Sequence, residues 1–278
     1  MSGNAYTLPD SELERLLAEE APCGDATSFA LGIGDRPGRL VFRARQAMVA
    51  CASEEARRMG ELHGLHSVGS VVACGTRLAA GETILTLEGQ AAALHTVWKT
   101  AQTFMEYLSG IASCMADIVA AARAESPDIG IACTRKNFPG TKAAAIKAIL
   151  AGGASPHRLS LSETLLVFAE HRSFLTESPA ATLVRLRRLW PERSIVVEVA
   201  DENEALAWAG ADILQLEKWP VAAVAALHAR LPEIRLAAAG GINAGNAADY
   251  ARSGAAILVT SAPYSAAPRD VSVSITAD

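Results

Sequence analysis

Positive charge is not in excess in this sequence: 25 Lys and Arg stand against 30 Asp and Glu, a formal net charge of −5. A surface that is acidic on balance argues against a protein whose whole face is given to nucleic acid or to an anionic membrane, but it leaves room for a local basic pocket. Aromatic residues are scarce, at 5%. With alanine abundant, that scarcity favours helices packed closely through small side chains over a sandwich of aromatic and β-branched strands. Disulfide and metal-knuckle patterns are missing as well. The five cysteines, Cys23, Cys51, Cys74, Cys114 and Cys133, are odd in number, widely spaced and form no CxxC or Cys/His cluster, so they read as reduced, mostly buried thiols. The first residues lack the basic and apolar stretches of a signal peptide, and charges interrupt the apolar runs short of the roughly 20 residues of a membrane span. The expected compartment is the cytoplasm.

What is present is ample core material. Half of the 278 residues are hydrophobic and 20% are charged, a balance that buries a sizeable core. At about 150 residues per domain, the length excludes a single small module and predicts two domains, or an α/β barrel with an appendage.

Residues 8–20 read as an amphipathic helix with Leu13, Leu16 and Leu17 at helical spacing. Strand character over residues 39–51, a second helix over SEEARRMGELHG and two short strands around glycine turns complete a small α+β unit. A long helical stretch over residues 91–124 carries SGIAS at 109–113, where Gly110 predicts a hinge between domains. Beyond it, six short apolar runs, IGIACT, TLLVFAEH, SIVVEVA, ADILQL, RLAAAGGI and AAILVTSA, alternate with helical segments. That alternation implies βαβ units and a parallel sheet. A barrel is favoured, and an open doubly wound sheet is the competitor that periodicity alone does not exclude. The final VSVSITAD alternates like an edge strand returning to the N-terminal sheet. The predicted domains are residues 1–108, rejoined by 269–278, and residues 109–268.

In such architectures the working groups lie at the carboxyl ends of the strands, and here those ends are polar. The first barrel run leads into Thr134, Arg135 and Lys136, with Lys142 beyond a glycine turn, a set of cations that suits an anion. His157 and Arg158 follow the next loop, the latter with a planar fork that matches carboxylate or phosphate. His171 ends the TLLVFAEH run, and Glu198 and Glu217 end two further strands, where carboxylates can hold ribose hydroxyls or a metal bridging phosphates. Gly240 and Gly241 after the penultimate run, and Thr260 and Ser261 after the last, read as a phosphate cradle, because glycine lets backbone N–H groups approach oxygen. Each has a plainer alternative: a solvated basic turn, a structural histidine, inert surface acids, an ordinary tight turn.

The segments GDATS, LSGIAS, TRKNFPGTK, GGASPHRLSL, VVEV, ADILQLE and AAGGIN, in this order and spacing over nearly the whole chain, resemble quinolinate phosphoribosyltransferase, also called nicotinate-nucleotide pyrophosphorylase. FPGTK in place of TPGLR resembles the branch of that family associated with molybdenum transport. The resemblance implies an N-terminal α+β sandwich domain and a C-terminal open, incomplete parallel α/β barrel. It also implies a homodimer or higher oligomer whose N-terminal domain caps its partner's barrel mouth. The implied donor is phosphoribosyl pyrophosphate with Mg²⁺, attacked by a pyridine dicarboxylate that is then decarboxylated. By matched position, Arg135, His157 and Arg158 line the acid site and Lys136 reaches the donor. Glu198 and Glu217 serve the ribose and, through the donor, the metal, while Gly240, Gly241 and Ser261 fall in the phosphate loops.

Several positions depart from the family pattern. Trp98 and Lys99 stand where the family has Glu-Arg, so the cation remains without its fork. Phe168 replaces a lysine, Glu170 an asparagine, and Glu217-Lys218 an Asp-Asn pair. The donor side is therefore expected to be retained and the acceptor side altered. The functions implied are a phosphoribosyltransferase with an aromatic acid or heterocycle as acceptor, or a non-catalytic relative that binds a phosphorylated or oxyanion ligand in molybdate handling. A phosphate-binding isomerase or aldolase is opposed by the lack of an evident acid/base pair.

Overall fold

A computed structural model describes residues 6–277; the leader-free reading of the N-terminus falls partly on residues 1–5, outside that range. The chain forms two compact units. The first comprises the described residues up to Ala116, Phe138–Gly153 and those from Pro263 onward; the second comprises Asp117–Asn137 and Ala154–Ala262.

In the first unit, α1 (Asp10–Glu20) and α2 (Ala26–Leu31) precede β1 (Pro37–Ala44), β2 (Met48–Val49), α3 (Ser53–Leu62), β3 (His66–Ser67), β4 (Arg77–Leu78) and β5 (Thr83–Gln90). The sheet order is β13-β1-β5-β3, where β13 is Val271–Ala277, and the C-terminal strand pairs antiparallel with β1 as its alternation predicts. Alternation sets the faces: Leu40, Phe42, Leu85 and Leu87 are fully buried, while Arg39 crosses to Glu88 on the neighbouring strand at 2.7 Å.

Next comes α4 (Ala91–Glu125), 35 residues without a break, in place of the expected hinge. Ser109 and Ser113, one turn apart, accept hydrogen bonds from the backbone N–H groups of Cys51 and Val49 at 3.0 and 2.8 Å. At Gly110 a Cβ would lie 2.5 Å from the carbonyl oxygen of Ala267. The glycine is there for close approach, not for a bend. By length and composition α4 alone among the described helices could cross a membrane, against the expectation that charges break every such run. Leu94, Val97, Ala101, Met105, Leu108 and Ala112, spaced by three or four, instead supply the core of this unit.

In the second unit the strands are β6 (Gly130–Cys133), β7 (Ser155–Pro156), β8 (Leu165–Val167), β9 (Ile195–Val199), β10 (Ile213–Glu217), β11 (Arg235–Ala239) and β12 (Ile257–Thr260). They form one parallel sheet of order β7-β6-β12-β11-β10-β9-β8. With β7 and β8 at its two ends, the sheet is an open, incomplete barrel. The connecting helices are α6 (Ala169–Arg172), α7 (Pro179–Leu189), α8 (Glu202–Ala207), α9 (Val221–Arg230) and α10 (Ala247–Arg252).

Helix α5 (Lys142–Ala151) follows β6 in the chain but belongs to the first unit. Its Ala144 and Ala148 join that unit's apolar cluster. Its Lys147, 1% exposed, reaches Glu55 at 2.6 Å and Glu54 at 3.4 Å.

Candidate active site

A cavity of about 590 Å³ opens at the carboxyl ends of the parallel strands. The sheet order arranges its lining. Arg135 and Lys136 follow β6, and His157 and Arg158 follow β7; Ser261 follows β12; Gly240 and Gly241 follow β11. Glu217 and Gln215 come from β10, Glu198 from β9, and Phe168 and Glu170 lie just past β8. Cations therefore occupy one side of the sheet and carboxylates the other, with the glycine turn between. Across the open edge, the Arg158 guanidinium lies 6.0 Å from the Phe168 ring centre, so the loops after the two end strands meet through a cation–π contact.

Backbone bonds fix these positions. Thr134 N–H donates to the Thr260 carbonyl at 2.9 Å and His157 N–H to the Cys133 carbonyl at 2.8 Å, which ties the cationic loops to the sheet. The glycine turn is built from left-handed conformations, φ +84° at Gly240 and +81° at Gly241. Side-chain amides of Asn243 and Asn246 each donate to the Gly241 carbonyl at 3.0 Å. A Cβ on Gly240 would meet Glu217 Oε1 at 2.8 Å and Lys218 Cγ at 2.6 Å, whereas one on Gly241 would meet nothing within 4 Å. Only glycine fits at 240, and Gly241 leaves its surroundings open to a ligand.

Electrostatics follow from this crowding. Burial, then Glu217 and Glu170 nearby, push the Glu198 carboxyl above the usual range, although Gln215 Nε2 donates to its Oε2 at 2.8 Å. Burial and the charges of Arg158 and Arg135 push His157 down, so the imidazole is neutral at pH 7. Burial and Arg135 also lower Arg158, which is 9% exposed. Among the described residues, Arg135, Lys136 and Arg158 have no ion pair within 4.0 Å. Their charges remain available to an anion.

Ten of the fourteen residues proposed from sequence line this cavity: Arg135, Lys136, His157, Arg158, Phe168, Glu198, Glu217, Gly240, Gly241 and Ser261. Thr260 does not; it is buried, donates to the Ile242 carbonyl at 2.7 Å and accepts from Ala262 N–H at 3.0 Å. His171 is not the end of a strand, because β8 stops at Val167. Its Nδ1 accepts the Phe168 N–H at 3.0 Å, starting α6, and its ring stacks on Phe168 at 5.8 Å.

Lys99 and Lys142 belong to the first unit. Lys99 lies 5.1 Å from the Trp98 ring centre and borders a separate cavity of about 580 Å³ with His95, Ser28 and Asp25. There GDATS builds a helix start: Asp25 accepts from Thr27 N–H at 2.9 Å and from Ser28 Oγ at 2.5 Å. Glu54, Glu55 and Cys74 form a metal-like group elsewhere in the first unit, but Lys147 supplies the cation there. Sequence reading missed Gln215, an amide among the aliphatics of ADILQL whose role shows only when strand register sets it beside Glu198, and Arg172, which donates to the Glu198 carbonyl and to Glu204 at 2.8 Å.

Fold and cavity define a two-domain α/β protein of the open-barrel class with a mixed-charge cavity at its strand ends. The chain belongs to the quinolinate phosphoribosyltransferase family, whose C-terminal domain matches residues 111–274 and whose N-terminal domain matches residues 25–109. It is 47% identical over 255 residues to the ModD protein of Rhodobacter capsulatus, covering 90% of this chain and 98% of that one. In fold it is similar to NadC of Streptococcus pyogenes (TM-score 0.90, 22% identity, 99% and 100% of the two chains). It is likewise similar to the nicotinate-nucleotide pyrophosphorylase of Francisella tularensis (TM-score 0.88, 21% identity, 99% and 100%).

Proposed function

We propose that this protein transfers ribose 5-phosphate from phosphoribosyl pyrophosphate to the ring nitrogen of an aromatic acid or heterocycle. The nitrogen lone pair forms the new bond at the anomeric carbon while the bond to pyrophosphate breaks and its electron pair leaves with that group. Three charges without ion-pair partners among the described residues, Arg135, Lys136 and Arg158, facing Glu198 and Glu217 in one cavity, carry this reading. Lys136 takes the pyrophosphate, whose growing charge it stabilises as the bond breaks. The N–H groups of Gly240 and Gly241 and the open space at Gly241, with the Ser261 hydroxyl, take the 5′-phosphate. Glu217 and Glu198 accept hydrogen bonds from the ribose hydroxyls. Arg135 and Arg158, with neutral His157, hold the acceptor's acid group against the Phe168 face, so both reactants are oriented before bond formation.

The oxygen donors of Glu198, Glu217 and Glu170 also suit Mg²⁺, because a cation among them would offset the mutual repulsion that adds to burial in raising the Glu198 carboxyl. When bound with the donor, the ion would neutralise pyrophosphate charge. The same reading takes the protein as a cytoplasmic homodimer, with Lys99 of the partner subunit completing the acceptor side, and its cellular role as molybdenum handling, as the family branch that FPGTK resembles implies.

The test is pyrophosphate release from phosphoribosyl pyrophosphate and Mg²⁺ across a panel of pyridine and pterin carboxylates. Release that requires both acceptor and Lys136 supports the reading. Saturable donor binding without release for any acceptor supports a second reading, a non-catalytic ligand-binding relative, which the replacement of a cation by Phe168 favours.

A further inference from the structure

Gln215 is 5% exposed and lines the cavity. Its Nε2 is committed to Glu198, while its Oε1 is fully enclosed and has no hydrogen-bond partner among the described residues. A buried acceptor left bare is costly, so its retention calls for a donor that arrives from outside the fold. The neighbouring strand β11 does not supply one. Strand register sets Ala237 beside Gln215 on β11, and Ala237, Ala239 and Val259 form an apolar cluster with Ile213 and Ile257.

Depth identifies which part of the ligand meets this oxygen. Gln215 and Glu217 share one face of β10, and two residues of strand put Gln215 roughly 6–7 Å below the rim where the glycine turn begins. A sugar phosphate anchored on Gly240, Gly241 and Ser261 stays at the rim. Leu166 on β8, and Phe168 just past its end, offer apolar surface to a flat ring. The carboxylates of Glu198 and Glu170 border the same side, which disfavours a second acid group there.

Resting on the transferase reading, we infer that Gln215 is a specificity-determining residue whose Oε1 accepts a hydrogen bond from an N–H, amino or hydroxyl group on the acceptor ring. The preferred acceptor is thus a heteroaromatic monoacid bearing a donor group, its acid toward Arg135 and Arg158 and its donor toward Gln215. A plain dicarboxylate offers this oxygen nothing to accept.

Calorimetric titration of the full chain with pyridine monocarboxylates, with and without a ring amino group, tests this. At least one amino isomer should bind the wild type roughly tenfold more tightly than the unsubstituted acid, the worth of one hydrogen bond. Gln215→Met, of similar length but without the acceptor, should erase that preference while retaining a cooperative thermal transition. The wild-type preference is read independently of whether the variant folds. Absence of any amino preference in the wild type, or its survival in Gln215→Met, overturns the inference. A preference that survives while phosphoribosyl pyrophosphate binding drops tenfold overturns it too, and assigns Oε1 to a ribose hydroxyl instead. If the amino preference holds and is lost in Gln215→Met but the donor binds neither protein, the transferase reading falls and the Gln215 assignment stands.

Discussion

Lys147 in the first unit and Lys136 in the second carry the same charge in opposite circumstances. The Lys147 ammonium is enclosed and closed off by Glu55 and Glu54, which hold it above its ordinary range against the burial that opposes its charge. Lys136 stands at a cavity with no ion pair within 4.0 Å among the described residues, and the nearby acids are held on other strands. Buried charge neutralised inside a fold is structural. Charge kept apart from its counter-charge by a rigid sheet is stored for a ligand.

Breaking each side of this contrast should give different losses. Lys147→Ala leaves Glu55 enclosed without its cation and should cost about 3–5 kcal/mol of stability, read by urea unfolding. Lys136→Ala should change stability by less than about 1 kcal/mol, yet weaken phosphoribosyl pyrophosphate binding by about 1.5–3 kcal/mol, the worth of hydrogen bonds to a charged group. Equal stability losses would erase the distinction.

The glycine turn sharpens it. Gly240→Ala forces a Cβ into Glu217 and Lys218 and should lower both stability and donor affinity. Gly241→Ala meets open space and should cost only the roughly 1–2 kcal/mol of a left-handed backbone, read as a smaller drop in melting midpoint. On the acceptor side, Arg135→Ala should weaken acceptor binding at least tenfold while changing donor binding less. Phe168→Lys should create or raise turnover of a pyridine dicarboxylate, checked by pyrophosphate release.

The smallest effect concerns pH. Folded Glu198 holds its proton more tightly than the unfolded chain does, so its ionisation costs stability, fully above the raised folded value and not at all below the unfolded one. Its share of stability should therefore rise as pH falls through that window, while donor binding weakens as the carboxyl protonates. Glu198→Gln should remove this stability slope, measured by thermal melts across the acid range.

Much of the barrel was legible because each short apolar run lies between polar turns, so strand ends, and with them Arg135, Lys136, Glu198, Glu217 and Gly240, could be placed by position along the chain. Gly110 misled for a physical reason. A helical glycine signals a bend only when nothing needs its missing side chain, and here the Ala267 carbonyl occupies that space. The allegiance of α5 was illegible because Lys147 in an apolar helix has no meaning until Glu55, 92 positions away, is known to face it. Gln215 was hidden likewise, since an amide among aliphatics matters only once strand register puts it beside Glu198.

The most direct test of the central claim is a titration of phosphoribosyl pyrophosphate with Mg²⁺ into the wild type, Lys136→Ala and Glu217→Gln, followed by calorimetry. One saturable site per chain in the wild type, weakened at least tenfold in both variants while their melting midpoints hold, is the predicted result. No binding to the wild type, or binding that neither substitution changes, would contradict the assignment of this cavity to a phosphorylated sugar.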